Sequence, residues 1–327
     1  MTLGITIGKF YPFHRGHDYL IRQAKAQVDR LVVLLGYKPS QALPGGVRAE
    51  WIRFLHPDVE VIETVDDLPE APEPWAERAL AVLSGRRPDV VFTSEEYGQP
   101  WARLMGARAV TVDRARSRFP ISGSQLRADL GAHWSMLTPP AKAYFARRIA
   151  VVGAESSGTT TLAQALAQHY HTVWVPEYGR GYWEGRQYTP DQEQWDSYEF
   201  VQIARGQAAW EDDLAMRANR LVVCDTDPLA THVWHRRFLG AYHDAVEHVA
   251  DSRRYDLYLL TKPDFPFVQN GTREGEAIRL EMHQWFIDII EAKKKPYLLM
   301  EGPPERRLAE AIRRIDALLH FPPLNDG

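Results

Sequence analysis

The sequence GKFYPFHRGH at residues 8–17 joins an apolar run, Leu3 to Ile7, to a segment with the spacing of an amphipathic helix, residues 18–28. At a strand-to-helix turn of this kind, free backbone N–H groups and the helix dipole favour an anion. Lys9 and the two histidines add positive charge and hydrogen-bond donors. By itself the stretch is equally consistent with an ordinary polar turn, so its interpretation depends on the rest of the chain.

Strand-like and helical segments alternate through the first half of the chain. Apolar runs occupy residues 3–7, 30–36, 59–65, 89–93 and 107–112. Helical patterns between them cover residues 18–28, 47–55, 74–84 and 99–105. This alternation predicts a doubly wound parallel sheet, in which ligands bind at the carboxyl ends of the strands.

The alternation starts again after Thr138-Pro139-Pro140, where proline suits the first turn of a short helix. Further apolar runs lie at residues 148–152, 172–175, 221–224, 257–260 and 296–300, with a polar helical tract at 190–219. The sequence therefore predicts two α/β domains, each with a doubly wound parallel sheet. We expect them at residues 1–137 and 147–327, joined by a linker and helix at 138–146.

Composition sets the broad class of the protein. A chain of 327 residues with 45% hydrophobic and 25% charged residues is typical of a globular protein with two cores. A formal net charge of −4 provides no general basic field for nucleic acid. The single cysteine, Cys224, excludes an intrachain disulfide, and no run approaches the roughly 18 apolar residues of a membrane span. We therefore expect a cytoplasmic protein that binds neither nucleic acid nor membrane.

A second anion site is predicted at ISGSQLR, residues 121–127. Ser122, Gly123 and Ser124 stand at a helix N-terminus, and Arg127 follows one turn later with a guanidinium that can grip a phosphate. Taken alone, Ser122 is a helix cap and Arg127 a solvated side chain. Next to the first turn, the segment completes a two-part phosphate site.

The second half has its own glycine loop, GAESSGTT at residues 153–160. The loop matches the phosphate-binding pattern GxxxxGK[ST] at both glycines and at Thr160, but Thr159 stands where the lysine belongs. We expect nucleotide contacts from Gly153, Ser156, Ser157, Gly158, Thr159, Thr160 and Thr161. Losing such a donor costs about 10²–10³ in rate unless another group replaces it. Asp225 ends a later strand and suits Mg²⁺ together with Thr160, whereas Asp227 either contacts substrate or caps a helix.

The segments at 14–17 and 121–127 resemble the HxGH and ISxxxxR signatures of the nucleotidyltransferase superfamily. Over essentially its whole length the chain resembles the NadR family of bifunctional nicotinamide-nucleotide adenylyltransferases and ribosylnicotinamide kinases. PEYGR at 176–180 and KPDFPFVQNGTR at 262–273 resemble that family's PEYAR and PDxPWxQDGTR segments, with Phe267 and Asn270 as departures. Some members begin with a DNA-binding domain. Since the first strand begins at residue 3, we expect that domain and repressor activity to be absent.

For the first half, the resemblance implies adenylyl transfer from ATP to nicotinamide mononucleotide, giving NAD and pyrophosphate, with Mg²⁺ as a bridging ion. In this assignment His14 and His17 bind the ATP phosphates, and Lys9 and Arg127 neutralise charge. The attacking phosphate is largely dianionic at pH 7, so the reaction needs alignment and charge stabilisation rather than a base. Further nucleotide contacts are expected from Gly8, Phe10, Gly16, Ser122, Gly123 and Ser124.

For the second half, the resemblance implies phosphorylation of nicotinamide riboside by ATP, with GTP as an alternative donor. Glu177 is the candidate base and Arg180 a phosphate partner. Arg273 is a lid arginine that closes over the transferring phosphoryl group and is the candidate replacement for the missing lysine. Four aromatic residues either stack on the nicotinamide ring or belong to the core: Tyr178, Tyr182, Trp183 and Trp195.

Two hypotheses follow from the sequence. The first is a bifunctional enzyme of NAD salvage. The second, prompted by Thr159, is a monofunctional adenylyltransferase whose P-loop half senses nucleotide without turnover. A nucleotide-sensing interaction protein or repressor is disfavoured by the first-half motifs. Homo-oligomerisation and the choice between nicotinamide and nicotinate stay open.

Overall fold

The computed structural model describes residues 1–264 and 276–325 and divides the chain into two compact units. The first unit contains residues 1–141 and 321–325, and the second contains residues 142–320. The division falls inside the predicted boundary segment 138–146. The C-terminal residues 321–325 differ from the prediction, because they pack with the first unit.

The first unit is built on a parallel sheet with the strand order β3-β2-β1-β4-β5. Its strands are β1 (Leu3–Gly8), β2 (Arg30–Tyr37), β3 (Glu60–Val65), β4 (Val90–Thr93) and β5 (Arg108–Thr111). In the register of the central strand, Ile5 lies opposite Val32 on one side and Val91 on the other. The strand order reverses beside β1, so the crevice at its carboxyl end is the expected ligand position. The predicted doubly wound sheet is confirmed.

The helices of the first unit are α1 (Arg15–Lys25), α2 (Gly45–Leu55), α3 (Pro72–Val82), α4 (Gly98–Met105) and α5 (Gly123–Ala128), with a 3₁₀ turn at Trp134–Met136. Helix α1 begins at Arg15 rather than at residue 18. The reason is a capping box built from histidines: the His14 side chain accepts from the Gly16 N–H, and that of His17 accepts from the His14 N–H. The histidine motif is thus itself the start of the helix.

The second unit has a parallel sheet with the order β10-β9-β6-β8-β7. Its strands are β6 (Arg147–Gly153), β7 (Val173–Val175), β8 (Leu221–Asp225), β9 (Leu257–Thr261) and β10 (Tyr297–Met300). Strand β6 is central, with Ala150 opposite Cys224 on one side and Tyr258 on the other. The glycine loop that follows β6 therefore emerges between the ends of β8 and β9.

A short helix, α6 (Pro139–Phe145), spans the division between the units. The other helices are α7 (Thr159–His169), α8 (Tyr178–Arg186), α9 (Ser197–Ala215), α10 (Pro228–Leu239), α11 (Asp244–Asp251), α12 (Glu276–Ala292) and α13 (Pro304–Leu318). The tract predicted as helical over 190–219 is helical only from Ser197, because Asp196 accepts from the Tyr198 N–H and caps α9 there. No helix in the described ranges combines the length and apolar character needed to cross a bilayer.

A buried polar cluster ties α9 to the sheet of the second unit. Glu211 of α9 is wholly buried and accepts the Tyr255 hydroxyl at 2.8 and 2.9 Å. Arg148 of β6 and Arg253 reach the same carboxylate at 3.4 and 3.3 Å. Burial raises the pKa of Glu211 to about 7, against the opposing pull of Arg253. Neighbouring Asp212 binds the same two arginines but is half-exposed.

We expect Glu211→Ala to lower the free energy of unfolding of the second unit by about 3–5 kcal/mol, because it leaves the buried Tyr255 hydroxyl without its acceptor and removes the buried carboxylate from Arg148 and Arg253. The matched control is Asp212→Ala, which removes a half-exposed carboxylate from the same arginines and should cost about 1 kcal/mol or less. Urea titration followed by tryptophan fluorescence measures both. Equal losses in the two variants would contradict this role for Glu211.

Candidate functional site

In the first unit a cavity of about 120 Å³ lies at the carboxyl ends of β1 and β4. Six of the residues predicted for the adenylyl-transfer site line it: Gly8, Lys9, Phe10, His17, Gly123 and Arg127. The structure thus brings the turn after β1 and the N-terminus of α5 to one place, although more than 100 residues separate them in the chain.

The two histidines of the turn are stacked, with ring centroids 3.6 Å apart. His14 Nδ1 accepts from the Gly16 N–H at 3.1 Å, and His17 Nδ1 accepts from the His14 N–H at 3.5 Å. A neutral imidazole that accepts at Nδ1 carries its proton on Nε2. Burial lowers the pKa of His14 to about 3 and holds that of His17 well below its ordinary value. Both rings are therefore neutral donors rather than cations.

Arg127 connects the two halves of this site. Its Nη1 donates to the Tyr11 carbonyl at 2.9 Å, and its Nη2 donates to Ser124 Oγ at 3.0 Å. Gly123 permits the close approach, because a Cβ there would lie 2.9 Å from the Tyr11 oxygen. Ser122 accepts from the Gln125 N–H at 3.2 Å, so its hydroxyl caps α5.

Lys9 and two other cations hold the turn. Lys9 Nζ lies 3.1 Å from Asp66 Oδ2. The wholly buried Arg48 of α2 donates to the Lys9 carbonyl and, at 2.7 Å, to Gln41 Oε1. Arg116 binds Glu95 Oε1 at 2.7 Å, and its charge helps to lower the pKa of His14. Sequence reasoning assigned no role to Arg48 or Arg116, and the only signal for Arg116 is its place in the basic run 114–118.

In the second unit a cavity of about 550 Å³ lies over the glycine loop after β6. Its lining contains nine of the predicted site residues: Gly153, Ser156, Gly158, Thr159, Thr160, Thr161, Glu177, Arg180 and Asp225. Ser157 turns its hydroxyl into the protein, toward the Ala154 carbonyl and Thr261 Oγ1, both at 2.6 Å. The predicted lid residue Arg273 lies outside the described residues.

Oxygen atoms suited to Mg²⁺ meet at the ends of β8 and the glycine loop. Burial raises the pKa of the Asp225 carboxylate overall, although the hydroxyls of Thr159 and Thr160 lie beside it and pull that pKa down. The described residues contain no group of three or more His, Cys, Asp or Glu placed to hold a metal ion. One carboxylate and one hydroxyl nevertheless fit Mg²⁺, which usually takes few protein ligands and completes its shell with phosphate oxygens and water.

Glu177 has the character of a base near neutrality. It precedes α8, lines the cavity and is buried enough that its pKa rises to about 7. The negative charge of Asp225 adds to this rise, and Arg180 opposes it. Groups whose pKa lies near the working pH are efficient proton acceptors.

Asp227 has the helix-capping role. It is wholly buried and accepts from the Ala230 N–H at 2.9 Å and from the Tyr258 hydroxyl at 2.8 Å. Both of its oxygens are therefore used to join α10 to β9.

The four predicted aromatic residues divide into two pairs. Trp183 and Trp195 line the cavity. Tyr178 packs against Trp210 with ring centroids 5.2 Å apart, and Tyr182 donates to Glu199 at 3.4 Å, so both pack against α9. Three further lining aromatics were missed from the sequence, since their helical spacing resembles that of core residues: Phe200, Trp234 and Phe238.

Residues 148–307 match the protein family described as AAA domain. The trifunctional NAD biosynthesis/regulator protein NadR of Salmonella typhimurium (strain LT2) is 31% identical over 294 residues, covering 83% of this chain and 72% of the relative. The protein of the same description from Escherichia coli (strain K12) is 29% identical over 324 residues, covering 92% and 79%.

Two solved structures share the fold. One is described as NadR protein in complex with NR, with a TM-score of 0.74 and 19% identity over 100% of this chain and 98% of that chain. The other is NadR protein in complex with NAD and AMP-PNP, with a TM-score of 0.72 and 20% identity over 97% and 96%. On the identity and coverage of its relatives, the chain belongs to the NadR family of NAD biosynthesis proteins.

Proposed function

We propose that the protein is a bifunctional enzyme of NAD salvage. Its second unit phosphorylates nicotinamide riboside, and its first unit joins the resulting mononucleotide to the AMP part of ATP, forming NAD and releasing pyrophosphate. The observation that carries the proposal is that each unit has a cavity at the carboxyl end of its central strand, lined by a turn whose residues suit a phosphate. Family membership and the NR, NAD and AMP-PNP complexes of related folds support the choice of substrates.

In the first unit the reaction needs donors and alignment. The phosphate of nicotinamide mononucleotide, with a second pKa near 6, is largely dianionic at pH 7 and attacks the α-phosphorus of ATP without a base. Neutral His14 and His17 donate from Nε2 to phosphate oxygens, while Arg127 and Lys9 offset the charge of the leaving pyrophosphate. A bound Mg²⁺ supplies further charge neutralisation to the phosphates.

In the second unit the reaction needs a base. The O–H proton of the riboside hydroxyl passes to the Glu177 carboxylate as the oxygen forms a bond to the γ-phosphorus and the bond to the β-phosphate oxygen breaks. Thr160 and Asp225 would hold Mg²⁺, which neutralises charge on the β- and γ-phosphates when bound. Trp183 and Trp195 offer aromatic faces to the nicotinamide ring, which carries a positive charge as a pyridinium and is therefore attracted to them.

Thr159 favours a second candidate function, in which the P-loop unit binds nucleotide without turnover. The two candidate functions predict different products from nicotinamide riboside. Incubation of the full chain with nicotinamide riboside, Mg²⁺ and either ATP or GTP yields mononucleotide and then NAD under the first proposal. Under the second, only added nicotinamide mononucleotide is converted to NAD.

We propose a cytoplasmic location on the chemistry of the substrates and of the lone thiol. ATP is available there, and buried Cys224 stays reduced in that compartment.

His17→Ala should lower the turnover of NAD formation from nicotinamide mononucleotide and ATP by about 10²–10³, because it removes a phosphate donor from the transition state. Phosphorylation of nicotinamide riboside in the same chain should be unchanged, so mononucleotide accumulates. Burial holds both histidines neutral, so they should not gain protons when the pH is lowered to about 5. The wild-type rate at that pH should therefore fall, relative to pH 7, only by the amount that protonation of the substrate phosphate accounts for. Near-normal turnover in His17→Ala would contradict the assignment.

Glu177→Gln should lower riboside phosphorylation by about 10²–10⁴, because an amide cannot accept the proton. A base must be deprotonated to act, so wild-type turnover should rise as the pH passes through about 7, and the variant should lose that rise. Product formation over a pH series measures both effects. The matched control is Glu184→Gln, an exposed carboxylate on the same helix, which should leave the profile unchanged. A pH rise that persists in Glu177→Gln would assign the base to another group.

A further inference from the structure

Two buried arginines donate hydrogen bonds to the glycine loop of the second unit. They belong to helices that follow the loop in the chain. Arg279 of α12 is 1% exposed, and its Nε and Nη2 donate to the carbonyls of Glu155 and Ser156 at 3.1 and 3.2 Å. Arg307 of α13 is 2% exposed, and its Nη1 donates to the Ser157 carbonyl at 2.7 Å. The carbonyls of three consecutive loop residues thus accept hydrogen bonds from guanidinium groups.

These contacts polarise the amides of the loop. A carbonyl and the N–H of the next residue belong to one planar amide. A cation at the oxygen draws electron density toward it, so hydrogen bonds along such a chain polarise and strengthen one another. The Glu155 oxygen belongs to the amide of the Ser156 N–H, and Ser156 lines the cavity. Arg279 therefore makes the N–H of this lining residue a stronger hydrogen-bond donor.

The two arginines differ in what else they bind. Arg307 forms an ion pair with Asp264 and donates to the carbonyls of Lys262 and Gly302 at 2.8 and 2.9 Å, so it joins the ends of two strands to α13. Arg279 itself lines the cavity. Its positive charge thus acts on a bound phosphate both through the loop amides and directly through space.

We propose that Arg279 is the positioning residue that replaces the missing lysine of the phosphate loop at Thr159. It supplies the positive charge from behind the loop, whereas a lysine at position 159 would supply it from the first turn of α7. The proposal rests on the kinase activity proposed above. It explains how a loop with threonine in that position sustains phosphoryl transfer.

The test is a double-mutant cycle in the full chain between Arg279→Gln and Thr159→Lys. Arg279→Gln alone should lower kcat for riboside phosphorylation by about 10²-fold, with a smaller change in the KM for riboside, because the lost charge acts on the transferred phosphoryl group. In the Thr159→Lys background the same change should cost less than about 10-fold, because the lysine restores the charge. Arg279→Lys should keep most of the activity.

Arg307→Gln is the matched control, since it removes another buried guanidinium from the same loop. Its loss should depend far less on whether threonine or lysine stands at position 159, because its charge is paired with Asp264 and, unlike Arg279, it does not line the cavity. NAD formation by the first unit reports that this unit is folded, and a urea titration followed by tryptophan fluorescence reports whether the second unit is folded in each variant. Equal losses from Arg279→Gln in both backgrounds would overturn the inference while leaving the kinase function intact.

Absence of phosphorylated riboside from the wild-type chain with either ATP or GTP would instead overturn the kinase function. The double-mutant cycle is then measured as the affinity of each variant for Mg²⁺–AMP-PNP, by calorimetry. The binding event whose affinity changes in Thr159→Lys is assigned to the glycine loop. Weaker binding in Arg279→Gln that Thr159→Lys restores supports the inference on its own. Unchanged binding in Arg279→Gln overturns it.

Discussion

Both sites depend on one backbone constraint: a glycine stands where a neighbouring segment leaves no room for a side chain, at the end of β6 in the second unit and at the start of α5 in the first. At Gly153 a Cβ would lie 2.2 Å from Thr261 Oγ1, and at Gly123 it would lie 2.9 Å from the Tyr11 carbonyl. Glycine lets the neighbouring segments approach, so that backbone N–H groups converge on the crevice at the strand ends. The sheets set the position of each site, and the glycines make it accessible to a phosphate.

Burial disfavours charge in both units and so shifts the pKa values of histidine and glutamate in opposite directions, and each shift suits the chemistry proposed there. In the first unit it removes the charge of His14 and His17, which leaves directional donors for a substrate that brings its own nucleophilic dianion. In the second it raises the pKa of Glu177 to about 7, which provides an acceptor for a hydroxyl proton. The same desolvation thus yields neutral donors in one site and a proton acceptor in the other.

The sequence predicted the sheets well, because buried parallel strands are continuous apolar runs whose bounds shift by only a residue or two, as with β1 and β2. It also found the turns after β1 and β6, because each contains glycine and joins an apolar run to a helical pattern. It did not find Arg48 and Arg279, which bind backbone carbonyls of distant loops. The local sequence around a helical arginine is the same whether its side chain is solvated or binds a distant carbonyl. Only the tertiary packing distinguishes these two cases.

In the second unit, the position of the positive charge near the glycine loop affects the pKa of the proposed base, Glu177. Thr159 lies beside Asp225 and helps to lower the pKa of that carboxyl, and Asp225 in turn contributes to the raised pKa of Glu177. A lysine at position 159 would place its charge among these carboxylates and draw the pKa of Glu177 down, because an opposite charge nearby favours the ionised form. The guanidinium of Arg279 lines the same cavity but is bound to the carbonyls of Glu155 and Ser156, and Arg180 is the cation that opposes the raised pKa of Glu177. A charge held at the loop carbonyls can then polarise the loop while Glu177 keeps a pKa near neutrality, which is the combination that the proposed phosphoryl transfer needs.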